Sequence, residues 1–330
     1  MRLTFLGTSS GTPTRERNVS GLALRHDSGA CWIIDCGEGT QHRLLATDLR
    51  PGRIDLILLT HLHGDHCYGL PGLVASIAVH DRGRDPVTIV GPRGLAAWWQ
   101  ATRRATHLGL SFPVRIVEVP TEGGKLGRWD GCTVTALPLA HRVPCYGYLI
   151  EEDQRPGRFD AAKAQALGIE GRDRGRLAAG DSIVIAGLQV EAHELIGPPR
   201  PGRRLALLGD TADATPIADA CAGSDLALHE CTYTADRQDH ANRWGHSTTT
   251  QVAAFAHRCR PRQLAINHFS SRYTMPDAEP GVAQLVAEIA TQCPDQRIIA
   301  ADDFLHLTVP FPEQPLPSLP LEAIAHEPSG

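Results

Sequence analysis

The chain has 330 residues, 42% of them hydrophobic, and 32 Lys and Arg against 37 Asp and Glu give a formal net charge of −5. No apolar run approaches the ~18 residues needed to cross a bilayer and the N-terminus carries no extended hydrophobic signal region, so a cytoplasmic protein with no membrane partner is expected. The nine cysteines, scattered without C-x-x-C pairs, argue against a disulfide framework, and the negative charge argues against broad nucleic-acid affinity.

Strand-like runs are predicted at about residues 2–6, 20–25, 31–35, 54–59 and 87–90, alternating with helix-like stretches at about 38–47, 66–80 and 92–107. A second series has strands near about 114–119, 132–138, 145–151, 204–209, 225–229, 263–267 and 296–308, with helices near about 216–222, 248–259 and 281–292. The alternation implies an α/β protein and by itself admits a single doubly wound sheet.

The apolar run Ile54-Asp55-Leu56-Ile57-Leu58-Leu59-Thr60 leads directly into His61-Leu62-His63-Gly64-Asp65-His66. A buried strand entering a tight glycine turn can aim His61 and His63 at one cation while Asp65 and His66 face a neighbouring one. Imidazole nitrogens with a carboxylate oxygen suit zinc. Two ions need more ligands than one loop supplies. His141, Asp210 and His268 each follow a strand-like run, where open α/β sheets present functional groups. The expected sets are His61, His63 and His141 for one ion and Asp65, His66 and His268 for the other, with Asp210 between them. Two such ions can share a hydroxide and clamp a phosphoryl group.

Further motifs carry a resemblance. Phe5-Leu6-Gly7-Thr8-Ser9-Ser10-Gly11-Thr12-Pro13 resembles the opening strand and loop of ribonuclease Z, the tRNA 3′-processing endonuclease of the metallo-β-lactamase-fold superfamily. Pro13-Thr14-Arg15-Glu16-Arg17-Asn18 resembles that family's PxKxRN loop with Arg15 in place of lysine, and Asp35-Cys36-Gly37-Glu38-Gly39-Thr40-Gln41 resembles its aspartate motif. His229-Glu230-Cys231-Thr232 resembles the HEAT box, and Gly245-His246-Ser247-Thr248 the HST loop. The hexapeptide specifies only the superfamily; the other motifs are more selective.

The resemblance implies a four-layer αββα sandwich over residues 1–309, holding two Zn²⁺ per subunit, with Mn²⁺ as the alternative, and acting on precursor tRNA as a homodimer. A dimetal-bridged hydroxide would attack the phosphorus after the discriminator nucleotide. Asp65 would take the water's proton, His246 would protonate the departing ribose oxygen, and Glu230 would orient His246. Asp35 is expected to steer a metal-bound histidine. Arg15 and Arg17 are expected to touch RNA, and local basic patches are also found at Arg43, Arg50 and Arg53 and at Arg172, Arg174 and Arg176.

Between His141 and Asp210 the periodicity breaks into a glycine- and charge-rich excursion, about residues 151–200, which the resemblance identifies with the family's protruding tRNA-gripping arm. It contains a short alanine-rich helix candidate, Ala161 to Leu167, and its sequence departs from the family's Gly-Pro and lysine signature. The tail at 310–330, with six prolines, is expected to be disordered or laid extended along the surface. The rival readings are a phosphodiesterase or other metal hydrolase acting on small substrates with the same ions, a non-catalytic RNA-binding module, and a nuclease with added exonuclease activity.

Overall fold

The computed structural model describes residues 1–80, 86–185, 188–275 and 277–328. Within the excursion, Ala186 and Gly187 lie outside the described residues, as do Ser329 and Gly330 of the tail.

Residues 1–151 and 203–330 form one unit. Its first sheet has seven strands, in the order His306–Thr308, Arg2–Gly7, Gly21–Arg25, Cys31–Cys36, Ile54–Leu58, Val87–Gly91 and Val114–Glu118. The second has eight, in the order Ala325–His326, Ile298–Ala300, Leu264–Asn267, Leu226–Glu230, Arg204–Leu207, Cys145–Glu152, Cys132–Leu139 and Gly124–Trp129. Alternation along each strand sets the layers. Leu56 and Leu58 face a core shared with Leu205, Leu207 and Leu228, whereas Ile57 and Leu59 turn outward to pack with Leu73, Ile77 and Trp99. Ala206 and Ala227 pack on the opposite outer face with Val252, Phe255 and Ile289. The central strands are thus buried on both faces, which explains their continuous apolar runs. This is the αββα sandwich of the metallo-β-lactamase fold.

Two predicted elements differ and two observed ones were not predicted. The run at 296–308 is two strands, Ile298–Ala300 in the second sheet and His306–Thr308 in the first, separated by a turn in which Phe304 takes φ 68°. The helix expected near 216–222 is a single 3₁₀ turn, Thr215–Ile217. A helix at Gln238–Trp244 and an edge strand at Gly124–Trp129 were not indicated by periodicity. The helix buries only Ala241, and the strand carries two glycines and a register shift.

Residues 152–202 form a separate unit. It holds helices Ala161–Ala166 and Gly171–Ala178 and a hairpin of Ile183–Ile185 with Leu188–Val190, around a small core of Ala164, Ile169, Leu177, Ile183 and Leu195. Asp160 caps the first helix by accepting from the Lys163 N–H at 2.9 Å. The second helix forms where the sequence offered only glycine and charge, because Leu177 anchors it in that core.

The tail takes the extended form, one of the two alternatives expected for it. It runs extended and is held by arginines: Arg262 donates to the Gln314 carbonyl and Arg297 to the Pro317 carbonyl, both at 2.8 Å, before Ala325–His326 adds an edge strand. Proline has no N–H to leave unsatisfied, so its free carbonyls can accept from these side chains.

The loop at residues 8–18 is anchored by Asp303, whose side chain is 2% exposed. Its carboxylate accepts from Thr8 Oγ1 and the Asn18 N–H, both at 2.7 Å, and from Arg43 at 2.6 Å. Asp303→Ala leaves these donors without their acceptor and should cost about 2–3 kcal/mol. Equilibrium urea unfolding checks this, and an unchanged midpoint would show that the loop does not depend on this carboxylate.

Candidate metal centre

The strand Ile54–Leu58 delivers the first ligands. Beyond it the Thr60 N–H and hydroxyl both donate to the Asp35 carboxylate, at 2.7 and 2.9 Å, fixing the chain just before His61. His63 Nδ1 then lies 3.1 Å from His61 Nε2 and 3.2 Å from His141 Nε2. His141 reaches in from the loop after Cys132–Leu139, its Nδ1–H donating to the Gly245 carbonyl at 2.8 Å.

The second group converges beside it. Asp65 Oδ2 lies 3.5 Å from both His66 Nε2 and His268 Nε2, and those nitrogens are 3.4 Å apart. Asp210 Oδ2 is 3.7 Å from His61 Nε2, 3.5 Å from His66 Nε2 and 3.4 Å from His268 Nε2, so one oxygen faces both groups. The fold therefore brings all seven predicted ligands together.

The hydrogen bonds also assign the protons. Asp35 accepts from His66 Nδ1 at 2.7 Å. The Thr60 hydroxyl donates to Asp35 and can therefore only accept from His61 Nδ1, at 3.0 Å; the Thr232 hydroxyl donates to Glu230 Oε2 at 2.6 Å and accepts from His268 Nδ1 at 3.0 Å. Each of these rings, like His141, turns an Nε2 lone pair inward. Clustered lone pairs repel unless a cation lies among them. A tetrahedral ion with bonds near 2.0–2.1 Å separates its ligand atoms by roughly 3.3 Å, so the observed spacings suit divalent metals.

The electrostatics favour neutral rings at His61, His63 and His141, whereas the carboxylates around His66 favour its charged form until a cation takes the place of its Nε2 proton. Burial pushes His61 well below the usual histidine range, with His66 adding to the effect, and burial lowers His63 and His141. Burial works against ionised Asp210, but His268, His66 and His61 outweigh it and hold the carboxyl well below its usual range. Burial likewise opposes charge on His66, yet Asp210, Asp35 and Asp65 raise it.

Glu230 and His246 border the cluster. Glu230 Oε1 lies 3.0 Å from His246 Nδ1 and accepts the Thr211 and Ser247 N–H groups, each at 3.1 Å. Burial opposes the charged His246, but Glu230 and Asp210 prevail and raise its pKa to about 9. Divalent ions nearby would draw that value down. His246 stacks beside both ligand groups, its ring 5.3 Å from His141 and 5.2 Å from His268.

Asp35 acts through His66, as expected. Arg17 does not fit an RNA-contact role: it is 8% exposed, and its guanidinium donates to Thr8 Oγ1 at 2.7 Å and the Ala301 carbonyl at 2.9 Å and pairs with Asp302. A fork spent inside the protein cannot also bind phosphate; Arg15, by contrast, is exposed. Cys36, Cys67, Cys145 and Cys231 are buried. Thr60 and Thr232, the two hydroxyls that fix imidazole tautomers, escaped the sequence reading, though each stands within two residues of a predicted site residue. So did the Gly11 N–H, which donates to Asp65 Oδ2 at 2.9 Å.

A family model described as anti-Pycsar protein Apyc1 matches residues 1–152. The chain is 40% identical over 314 residues to ribonuclease BN of Cronobacter sakazakii, covering 94% of this chain and 100% of that one. It is 38% identical over 315 residues to ribonuclease Z of Limosilactobacillus reuteri, covering 94% and 99%. Among solved structures it is similar to the short form of human tRNase Z, with 28% identity and a TM-score of 0.67 over 94% of this chain and 100% of that one. The metallo-β-lactamase fold protein YhfI of Bacillus subtilis, at 15% identity and a TM-score of 0.65 over 92% and 98%, shares the fold.

If Asp210 Oδ2 serves both groups, Asp210→Ala should lower binding of both ions, whereas His141→Ala should mainly weaken the first. Elemental analysis of the purified variants decides it, and two tightly held ions surviving in Asp210→Ala would sink the scheme.

Proposed function

The chain belongs to the ribonuclease Z family, and from that premise we propose that it is a metal-dependent endoribonuclease removing the 3′ trailer of precursor tRNA after the discriminator nucleotide, with two Zn²⁺, or Mn²⁺ in their place, per subunit. The reading extends to a cytoplasmic homodimer, the state the family resemblance implies. No described helix is long and apolar enough to cross a membrane.

The observation that supports this reading best is the Glu230–His246 pair at the edge of the ligand cluster. The seven ligands would hold divalent ions, which when bound would acidify a water as nucleophile and neutralise charge on the phosphate. Asp65 would accept the proton of that water, the role the family resemblance implies for it. The ribose 3′-oxygen that departs is strongly basic and needs a proton. His246, held at Nδ1 by Glu230, keeps Nε2 available to supply one, and Glu230 stabilises its charged form. A hydrolase of small diesters with good leaving groups would have no need of this pair. The Apyc1-like match ends at residue 152, before either residue.

We assign the unit at 152–202 to gripping the body of the tRNA. The support is its own small core and the arginines at 172, 174 and 176 on one exposed helix. Its stem closes through reciprocal backbone bonds between Arg155 and Arg200, at 2.8 and 2.9 Å. Replacing residues 156–199 with a short Gly/Ser linker should raise KM sharply for precursor tRNA while turnover of a small phosphodiester persists. Unchanged tRNA processing would reject this assignment.

His246→Ala should cut RNA cleavage by about 10²–10⁴-fold with both metals retained. The loss should be much smaller on a nitrophenyl phosphodiester, whose leaving group departs without a proton. Glu230→Gln should show the same asymmetry more weakly. Equal slowing of both substrates would make His246 a phosphate-positioning group instead.

A further inference from the structure

Trp244 stands apart from the other tryptophans, which are buried or half-buried, because 44% of its surface is exposed. It closes the helix Gln238–Trp244, and Gly245 follows it in the left-handed region at φ 76°. A Cβ at Gly245 would meet His141 Nδ1 at 2.9 Å and Arg142 Cγ at 3.2 Å, so the segments Trp244-Gly245-His246 and His141-Arg142 lie hard against each other. Only glycine permits that approach. The consequence is that Trp244 and Arg142 emerge side by side, each next in the chain or one residue removed from a group of the centre. The exposed Arg142 places its guanidinium over the indole, 4.9 Å from the ring centroid.

An exposed indole with a cation over one face is a stacking platform for an unpaired base, and the guanidinium can also meet the adjoining phosphate. Its place determines which base. His246 delivers its proton to the 3′-oxygen of the nucleotide on the 5′ side of the cut, so the nucleoside beside His246 is the one that keeps that oxygen. We propose that Trp244, backed by Arg142, stacks the base of the nucleotide immediately 5′ of the scissile phosphate and so holds its ribose against His246. This rests on the endonuclease reading above. The indole reads a base as a π face and not by its edges, so the platform holds any base there and favours purines for their larger area.

The test is a cycle of enzyme and substrate changes on metal-loaded protein. Trp244→Ala should raise KM for a trailer-bearing precursor tRNA by roughly 5- to 150-fold, the range that loss of one aromatic–base stack produces. Trp244→Phe should recover most of that loss. Trp244→Leu, which keeps apolar bulk without a π face, should not. On a precursor made abasic at the nucleotide 5′ of the cut, the wild type should fall to the level of Trp244→Ala, and the variant should lose nothing further. A wild type that leaves the intact precursor uncut overturns the endonuclease reading, and this proposal with it. A wild type that cuts while Trp244→Ala or Trp244→Leu matches it overturns the stacking role alone. A Trp244→Ala penalty that persists undiminished on the abasic precursor does the same, and makes the Arg142–Trp244 pair a structural clip.

Discussion

A neutral imidazole has one N–H, and the acceptor that takes it decides which ring nitrogen faces a metal with a free lone pair. In this protein four such acceptors are built into the frame. Asp35, on a strand of the first sheet, and Thr60, just past another, hold His66 and His61; Thr232 and the Gly245 carbonyl belong to the second half of the chain and hold His268 and His141. Remove these acceptors and the rings could still pack, but nothing would oblige Nε2 to point inward. The candidate centre is therefore defined less by its ligands than by what stands behind them.

The backbone is bent to achieve this. Asp35 and His268 both sit in the left-handed region, at φ 57° and 58°, at the carboxyl ends of strands in opposite sheets. For non-glycine residues this costs roughly 1–2 kcal/mol each. The Asp35 carboxylate recovers more than that, because hydrogen bonds to charged groups contribute about 1.5–3 kcal/mol apiece and it accepts three from buried donors. The strain persists because the surrounding hydrogen bonds over-determine it. It is also functional in direction: an extended conformation at either position would carry the side chain away from the shared edge where the two sheets present their ligands.

Local chemistry made the candidate site more legible than the chain's irregular parts. The ligands follow buried strands, and a continuous apolar run ending in histidine or aspartate is visible in one dimension. The orienting hydroxyls are not, because a threonine beside a histidine reads the same whether it fixes a tautomer or faces water. Arg17 was misread for a related reason: an arginine in a loop looks available until Thr8, Ala301 and Asp302 are seen to surround it, two of them nearly the whole chain away. The stretch at 296–308 looked like one strand because both halves are β-like; the turn at Phe304 sends them to different sheets, a choice made by tertiary pairing. Helix Gln238–Trp244 carried no apolar stripe, since it packs through Ala241 alone.

The charge of −5 poses a problem for an enzyme acting on a polyanion, and the centre sharpens it by gathering Asp35, Asp65, Asp210 and Glu230. Without metal this edge repels phosphate. Under the proposed loading, two divalent ions would balance the four carboxylates and a protonated His246 would offset the hydroxide nucleophile, so the edge would no longer repel phosphate. Since Arg17 and Arg43 are both committed to holding loops, affinity for phosphate at this centre would rest on the metals and on the few exposed cations beside them, Arg142 among them. A nuclease built this way discriminates through the few contacts that remain at the rim. An aromatic face there gains influence, because stacking is largely insensitive to the net charge that sets the rest of the encounter.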